Sequence, residues 1–229
     1  MAIHAVLFDL YGTLAPGGTA ELRDEVSREV ARELGVDAVA FSEAVGETFR
    51  ERTIGSTGSL EETLALLAER LGGSPDAAAV SRAADLRLEM TRALLDATWA
   101  LDVLDELRAR GLPLGLVSDC SSETSLVWPT TALSTRFDAH AFSCAHGIKK
   151  PDARLYRVVT GRLGVDPASC LYVGDGGSSE LAGATELGMR AVWLDHPGNQ
   201  GGTHGVFWPG ERAGELHEIL GLLSPAEAR

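Results

Sequence analysis

Asp9 closes an apolar run, Ile3 to Phe8, of the kind that forms a strand buried on both faces, and the chain then turns through Gly12. A carboxylate is thereby placed at the C-terminal end of a strand. In an open α/β sheet that edge is where ligands bind, so Asp9 is a candidate nucleophile or metal ligand. Ser118 and Asp119 follow the apolar run Leu114 to Val117, Lys150 stands directly before Pro151, and Asp175 follows Leu171 to Val173 in the string Gly174-Asp175-Gly176-Gly177. One Asp after a strand is an ordinary turn residue. Asp9, Ser118, Lys150 and Asp175, met in order at strand ends or helix starts, form a pattern. The chain has 20 Lys and Arg against 33 Asp and Glu, a net charge of -13. If the substrate is an anion, positive charge at the site must come from a few placed residues or from a metal.

The elements that would position these residues are legible in the hydrophobic periodicity. After Ala15-Pro16-Gly17-Gly18 comes a long helical stretch in which Leu22, Val26, Val30 and Leu34 recur every four positions, and Leu60, Leu64, Leu67 and Leu71 lie on one helix face. Ser59 and Glu62 predict a capping box in front of the second set. Four helices are expected, near 20–34, 37–52, 59–71 and 76–95. A crossover between parallel strands needs only about a dozen residues, so this stretch reads as a separate helical lobe over residues 16–95, attached beside Asp9 where it could cover the site.

From Trp99 onward helix and strand alternate. A helix near 100–110 leads to the strand Leu114–Val117, and a helix near 121–133 leads to a short strand around Ala139 to Cys144. Pro151 is expected to open a helix carrying Leu155, Tyr156 and Val159. The strand Leu171–Val173 precedes a helix that Ser178 or Ser179 would cap. Ala191–Leu194 is a final strand, 196–210 a loop, and Glu215 to Leu223 a closing helix. Alternation of this kind implies a doubly wound, mainly parallel sheet.

Composition narrows the function classes. With 45% hydrophobic residues, 229 positions suffice for one large domain or two lobes. No apolar run approaches a membrane span or a signal-peptide core, so a soluble cytoplasmic protein is expected. The acidic balance and the lack of a basic block argue against nucleic acid or an anionic membrane as partner, leaving a small-molecule substrate. Cys120, Cys144 and Cys170 are widely spaced and form neither a disulfide framework nor a zinc motif.

On these four motifs the chain resembles the haloacid dehalogenase-like hydrolase superfamily, with residues 1–15 and 96–229 as a Rossmann-like α/β core and 16–95 as the inserted α-helical cap. The resemblance implies that Asp9 attacks the substrate and forms a covalent intermediate that water cleaves. Lys150, favoured over Lys149 because it directly precedes the proline, would supply a point charge. Ser118 would offer a hydroxyl to substrate oxygens. Asp9, Asp175 and the backbone carbonyl of Tyr11 would hold Mg²⁺. Thr13 and Asp119 fall within the same motifs as substrate-side candidates. Glu180, where the family often has an Asp, could hold a metal-bound water or could be a surface glutamate. Arg50, in Phe49-Arg50-Glu51-Arg52, is a candidate cap ligand for an anionic substrate, against the simpler reading of a solvated arginine. Tyr156 matches a dehalogenase site tyrosine, against the simpler reading of a Tyr packed on the sheet.

Two departures pull in opposite directions. Tyr11 stands where family phosphatases carry a second Asp as general acid and base, and the string Asp-Leu-Tyr-Gly-Thr-Leu resembles 2-haloacid dehalogenases, which displace halide without metal. Those enzymes, however, have a Ser- and Asn-containing fourth motif, unlike Gly174-Asp175-Gly176-Gly177. Charge favours the phosphatase: two bare carboxylates about 4 Å apart repel by about 4 kcal/mol at an effective dielectric near 20, which a divalent ion reverses. The expectation is a Mg²⁺-dependent phosphatase. The alternatives are a metal-independent 2-haloacid dehalogenase, or a non-catalytic binding protein that lost turnover through Tyr11.

Overall fold

The computed structural model describes residues 2–196 and 208–223. At its centre is a six-stranded sheet, all of whose neighbouring strands run parallel: β1 (Ala5–Phe8), β2 (Leu114–Ser118), β3 (Ala139–Phe142), β4 (Cys170–Gly174), β5 (Arg190–Leu194) and β6 (Glu211–Ala213), in the spatial order β3-β2-β1-β4-β5-β6. From β1 the chain builds outward through β2 and β3, then returns to add β4 on β1's other side. That reversal makes the β1–β4 boundary the switch point at which such sheets open a ligand crevice. The register aligns Phe8 with Leu116 on one side and with Val173 on the other, so Asp9, Ser118 and Asp175 emerge at a common edge.

Both faces of the sheet are covered, which is why its strands read as continuous apolar runs. Val6, Phe8, Leu114 and Leu116 pack beneath α6 (Leu101–Ala109) and its neighbours. Leu7, Val117 and Tyr172 point into the opposite layer with α9 (Ala153–Leu163) and α10 (Glu180–Glu186). Between β1 and α6 lie α1 (Ala20–Leu34), α2 (Ala38–Glu47), α3 (Phe49–Thr53), α4 (Leu60–Arg70) and α5 (Ala77–Asp96). They enclose a core of their own, built on Val30, Leu34, Phe41, Leu60, Leu64 and Leu67. Thr19, Asp37, Ser59 and Asp76 cap α1, α2, α4 and α5, and the Ser59–Glu62 capping box forms as the spacing predicts.

Several elements depart from the pattern read in sequence. The helix expected over 37–52 breaks at Thr48, whose hydroxyl donates to the Ala44 carbonyl at 2.6 Å, and restarts as α3. The helix expected over 121–133 ends early as α7 (Ser122–Val127), because Pro129 cannot donate to the ladder and the chain tightens into a 3₁₀ turn. After β3 a single turn, α8 (Ser143–His146), replaces the strand's expected end. Asp152, rather than Pro151, starts α9, its carboxylate accepting from the Arg154 amide at 2.9 Å. Neither Ser178 nor Ser179 caps α10 with its side chain; both take left-handed backbone conformations instead. The loop expected over 196–210 lies mostly outside the described residues. Beyond it β6 was not foreseen: three residues gave too little pattern, and the strand is held by Arg212 over the Trp193 ring at 4.5 Å and by the 2.9 Å Arg190–Glu211 pair. The closing helix divides into a 3₁₀ turn and α11 (Ile219–Leu222).

The helical insertion is tied to the sheet side through α5 and α7. Arg87 of α5 donates from Nε and Nη2 to Oε1 of Glu123 at 3.1 and 2.8 Å, with both side chains largely buried. Burial alone would raise the Glu123 carboxyl, but Arg87 and local hydrogen bonds outweigh it and hold the group below its ordinary value. That part of the stability is complete above the unfolded glutamate pKa and is lost as pH falls through the folded one. Glu123→Gln removes the anion while keeping the volume, and is expected to cost about 3 kcal/mol in urea denaturation at neutral pH. The difference from wild type should shrink as pH is lowered; a loss below about 1 kcal/mol would put the pair in the class of exposed ion pairs.

Candidate active site

Asp9 leaves β1 with its amide donating to the Val173 carbonyl at 2.9 Å. Gly12, at a φ of 83°, turns the loop back so that its amide reaches the Ala15 carbonyl at 2.7 Å. The loop is pinned from outside by Trp99 Nε1 on the Thr13 carbonyl at 3.0 Å and the Thr98 hydroxyl on the Leu14 carbonyl at 2.7 Å. Within this frame Asp9 Oδ1 accepts from Lys150 Nζ, and Oδ2 accepts from the Thr13 hydroxyl at 3.3 Å.

Lys150 is delivered by packing rather than by a strand. Its amide donates to Asp119 Oδ1 at 2.9 Å. Next to it Pro151 lies so close to α10 that a Cβ on Gly183 would fall 2.7 Å from the Pro151 Cβ. Nζ also donates to Glu180 Oε2 at 2.5 Å. Glu180 is fully buried, which overturns the reading of it as a surface glutamate. Oε2 of this carboxylate accepts from the Tyr172 hydroxyl at 2.8 Å and Oε1 from the Gly176 amide at 3.0 Å, while its backbone carbonyl accepts from Tyr156 at 2.9 Å. It lies over Gly174, where a Cβ would come within 2.0 Å of Oε1, so no larger residue fits there as the site stands.

The electrostatics follow from the count of charges. Asp9, Asp175 and Glu180 each present a carboxylate oxygen, all within 4.8 Å of one another, with one ammonium among them. Burial pushes the Asp9 carboxyl up to about 6, with Lys150 opposing the shift and Asp175 adding to it. Burial likewise pushes Glu180 up to about 8 against Lys150, with Asp9 and Asp175 adding. Burial alone would lower Lys150, but Asp9, Glu180 and Asp119 outweigh it and hold the ammonium above its ordinary value. The donor set fits a hard divalent cation: carboxylate oxygens, close together, carrying more negative charge than the lysine neutralises.

The other residues singled out in sequence fall as follows. Ser118 is fully buried, and its hydroxyl has no hydrogen-bond partner among the described residues. Asp119 holds the Lys150 amide through Oδ1 and lies 3.6 Å from Lys149 Nζ through Oδ2. The Tyr11 hydroxyl shares a 2.9 Å hydrogen bond with Thr124, and burial pushes its pKa up, so it is a poor proton donor or acceptor. Tyr156 is buried against the sheet.

A cavity of about 590 Å³ opens between the helical insertion and the sheet edge. Tyr11 and Asp119 line it; Asp9 and Lys150 do not. Arg50 is exposed and does not reach the cavity; Arg52, two residues on, does. Both stand in the string that sequence singled out, but the break at Thr48 fixes which face turns inward, and periodicity did not show that break. Arg52 donates from Nη2 to the Val45 carbonyl at 2.8 Å, while its buried Nε has no partner among the described residues, an arrangement that costs about 1–3 kcal/mol. Arg87 and Glu123, also on the wall, gave no sequence signal, because nothing local pairs residues 36 positions apart.

A family model for haloacid dehalogenase-like hydrolases matches residues 3–188. Among curated proteins the chain is 28% identical over 203 residues to a glyceraldehyde 3-phosphate phosphatase of Methanopyrus kandleri, covering 83% of each chain. It is 28% identical over 203 residues to an (S)-2-haloacid dehalogenase of Pseudomonas sp., covering 86% of this chain and 84% of that one. A phosphoserine phosphatase of Thermus thermophilus is 34% identical over 131 residues, a match spanning 56% of this chain and about half of that protein (51%). Of solved structures, a HAD phosphatase from Thermococcus onnurineus superposes with a TM-score of 0.65 at 25% identity, covering 97% of this chain and 99% of that one. The same fold is seen in an L-2-haloacid dehalogenase from Xanthobacter autotrophicus, with a TM-score of 0.62 at 20% identity over 96% of this chain and 98% of that one. With a family match running from the strand before Asp9 to the end of the helix after Glu180, this chain belongs to the haloacid dehalogenase-like hydrolases.

Proposed function

We propose that the protein is a Mg²⁺-dependent phosphatase acting on a small phosphorylated molecule, with residues 1–15 and 96–229 as the catalytic core and 16–95 as a cap over it. The observation that carries this reading is the grouping of the Asp9, Asp175 and Glu180 carboxylates around a single lysine. Left to itself such a cluster repels an anionic substrate; with a divalent cation it attracts one. Asp9 and Asp175 would hold Mg²⁺, with the Tyr11 backbone carbonyl and Glu180 available beside them. The ion would neutralise charge on the phosphoryl oxygens.

In this mechanism an Asp9 carboxylate oxygen attacks phosphorus, the bond to the ester oxygen breaks, and that oxygen departs with the bonding electron pair. Water then attacks the aspartyl phosphate, freeing inorganic phosphate and returning Asp9 as a carboxylate. Lys150 keeps Asp9 oriented and pairs with the transferred group, and the buried Ser118 hydroxyl meets one of its oxygens. Thr13 fixes the second Asp9 oxygen, and Asp119 fixes the lysine's backbone. Three free cysteines suit a reducing, cytoplasmic setting.

A second reading, a 2-haloacid dehalogenase, is favoured by Tyr11, which puts a phenol rather than a carboxyl group two residues after Asp9, and by the dehalogenases among the relatives. Chelation separates the two. A Mg²⁺-dependent release of phosphate that EDTA abolishes, and that Asp9→Asn reduces by at least about 10³-fold, is expected. Halide release from 2-chloropropionate that survives EDTA, without phosphatase activity, would replace this reading with the second.

Because Tyr11 is engaged with Thr124 and burial makes it a poor proton donor, substrates whose leaving oxygen needs no proton should turn over fastest. Nitrophenyl phosphate is expected to exceed an alkyl phosphate in kcat by about 10²-fold or more, and Tyr11→Asp to narrow that gap. Equal rates on the two esters in wild type would show that some other residue supplies the proton.

A further inference from the structure

Cys120 and Cys144 are far apart in sequence and side by side in the fold. β2 and β3 run parallel with Ser118 opposite Phe142, so two residues further on the chain brings Cys120 level with Cys144. Ser143 holds the two segments together past the last strand residue: its Oγ accepts from the Cys120 amide at 2.9 Å and donates to the Cys120 carbonyl at 3.3 Å. Neighbouring strands lie about 4.8 Å apart, within the span of about 4.4–6.8 Å that a disulfide bridges between Cα atoms. The thiols themselves meet, Cys120 donating a hydrogen bond to the Cys144 sulfur. Their surroundings differ. Cys120 is buried, and burial pushes its thiol well above the ordinary value; Cys144 is half-buried, and the hydrogen bond from Cys120, helped by Ser125, outweighs burial and holds it below. An accessible sulfur of thiolate character beside a second, buried thiol is the arrangement of an oxidisable cysteine and its resolving partner. Cys170 lacks both features, being buried and pushed up to about 12.

We propose that Cys120 and Cys144 close into a reversible disulfide on exposure to a hydroperoxide, and that the bond slows turnover at Asp9. With hydrogen peroxide, the Cys144 thiolate attacks one peroxide oxygen and the O–O bond breaks. Hydroxide departs and takes up the proton that the thiol had released, leaving a sulfenic acid and water. The Cys120 sulfur then attacks the Cys144 sulfur; its proton leaves with the displaced hydroxide as a second water. Two thiols are oxidised, one peroxide is reduced to two waters, and a dithiol reverses the bond by exchange. Formation of the bond depends on the pair alone, whereas its effect on turnover rests on the reading of Asp9 and Lys150 given above. Asp119, directly before Cys120, accepts from the Lys150 amide at 2.9 Å, and α8, which carries Cys144, leads into the turn that delivers Lys150. The helical insertion leaves α8 little slack, since a Cβ on Gly55 would fall 2.1 Å from the Cys144 carbonyl oxygen. Closing the bond draws the sulfurs inside hydrogen-bonding distance and passes the shift to Asp119 and to the lysine's turn. A displacement of about 1 Å at such a group costs up to about 10²-fold in rate.

The test treats the whole, reduced protein with hydrogen peroxide, blocks the remaining thiols with N-ethylmaleimide in denaturant and maps tryptic peptides by mass spectrometry. A link between peptides 111–136 and 137–149 that dithiothreitol releases is expected, with Cys170 recovered as its maleimide adduct. Hydrolysis of nitrophenyl phosphate in Mg²⁺ should fall by at least about fivefold over the same treatment and recover in dithiothreitol. Cys144→Ser should keep the rate of reduced wild type and lose the sensitivity to peroxide; Cys120→Ala serves as the same control should Cys144→Ser fail to melt cooperatively. Absence of the link, or a link to Cys170 in its place, overturns the pair. A link that leaves the rate within about twofold, or a loss of rate that persists in Cys144→Ser, overturns the control of turnover. If the reduced protein hydrolyses no phosphate ester, the phosphatase reading falls and with it the effect on turnover, while the peptide map decides the bond by itself.

Discussion

The buried ammonium of Lys150, shared between Asp9 and Glu180, is the constraint to which the rest of the site is fitted. Removing these charges from water is costly unless each is paired and hydrogen-bonded, and the fold meets that condition from several directions. Tyr172 and the Gly176 amide complete Glu180, Thr13 completes Asp9, and Asp119 holds the lysine's own backbone. Glycines at 174 and 183 leave room for the carboxylate and for the turn that carries the lysine. The cluster nevertheless keeps an excess of negative charge, of the kind that a hard divalent cation would offset.

Chemistry of this kind needs residues far apart in sequence to arrive at one place with little freedom. A parallel sheet does this by register: β1, β2 and β4 end within two residues of one another, and Asp9, Ser118 and Asp175 stand at those ends. Lys150 reaches the site by a different route, through the turn between α8 and α9. Its position depends on helix-to-helix contact more than on strand pairing. The same separation holds for charge. The sheet edge gathers carboxylates, while the facing helices bring arginines that the insertion's own core does not use.

Much of this was legible in the chain. Apolar runs ending in Asp9, Ser118 and Asp175 marked the strands and their working edge, because a strand buried on both faces leaves no alternation to confuse with a helix. The Ser59 capping box and the four-residue stripes were equally plain, since both are local. What sequence could not show depends on distant partners. The burial of Glu180 is decided by Tyr172 and Lys150, the inward turn of Arg52 rather than Arg50 by a helix break at Thr48, and β6 by an arginine stacked on Trp193.

The hydrogen bonds from Thr98 and Trp99 to the carbonyls of Leu14 and Thr13 join the two places where the chain leaves and re-enters the sheet layer. Everything between them enters and leaves the sheet layer at this one stalk, in the manner of a cassette plugged into a socket, with the Arg87–Glu123 pair as a latch on its far side. Variation in its length and content is thereby insulated from strand registration, so a lineage, or an engineer, can exchange the whole loop-out for another while the acid cluster beneath it stays as it is.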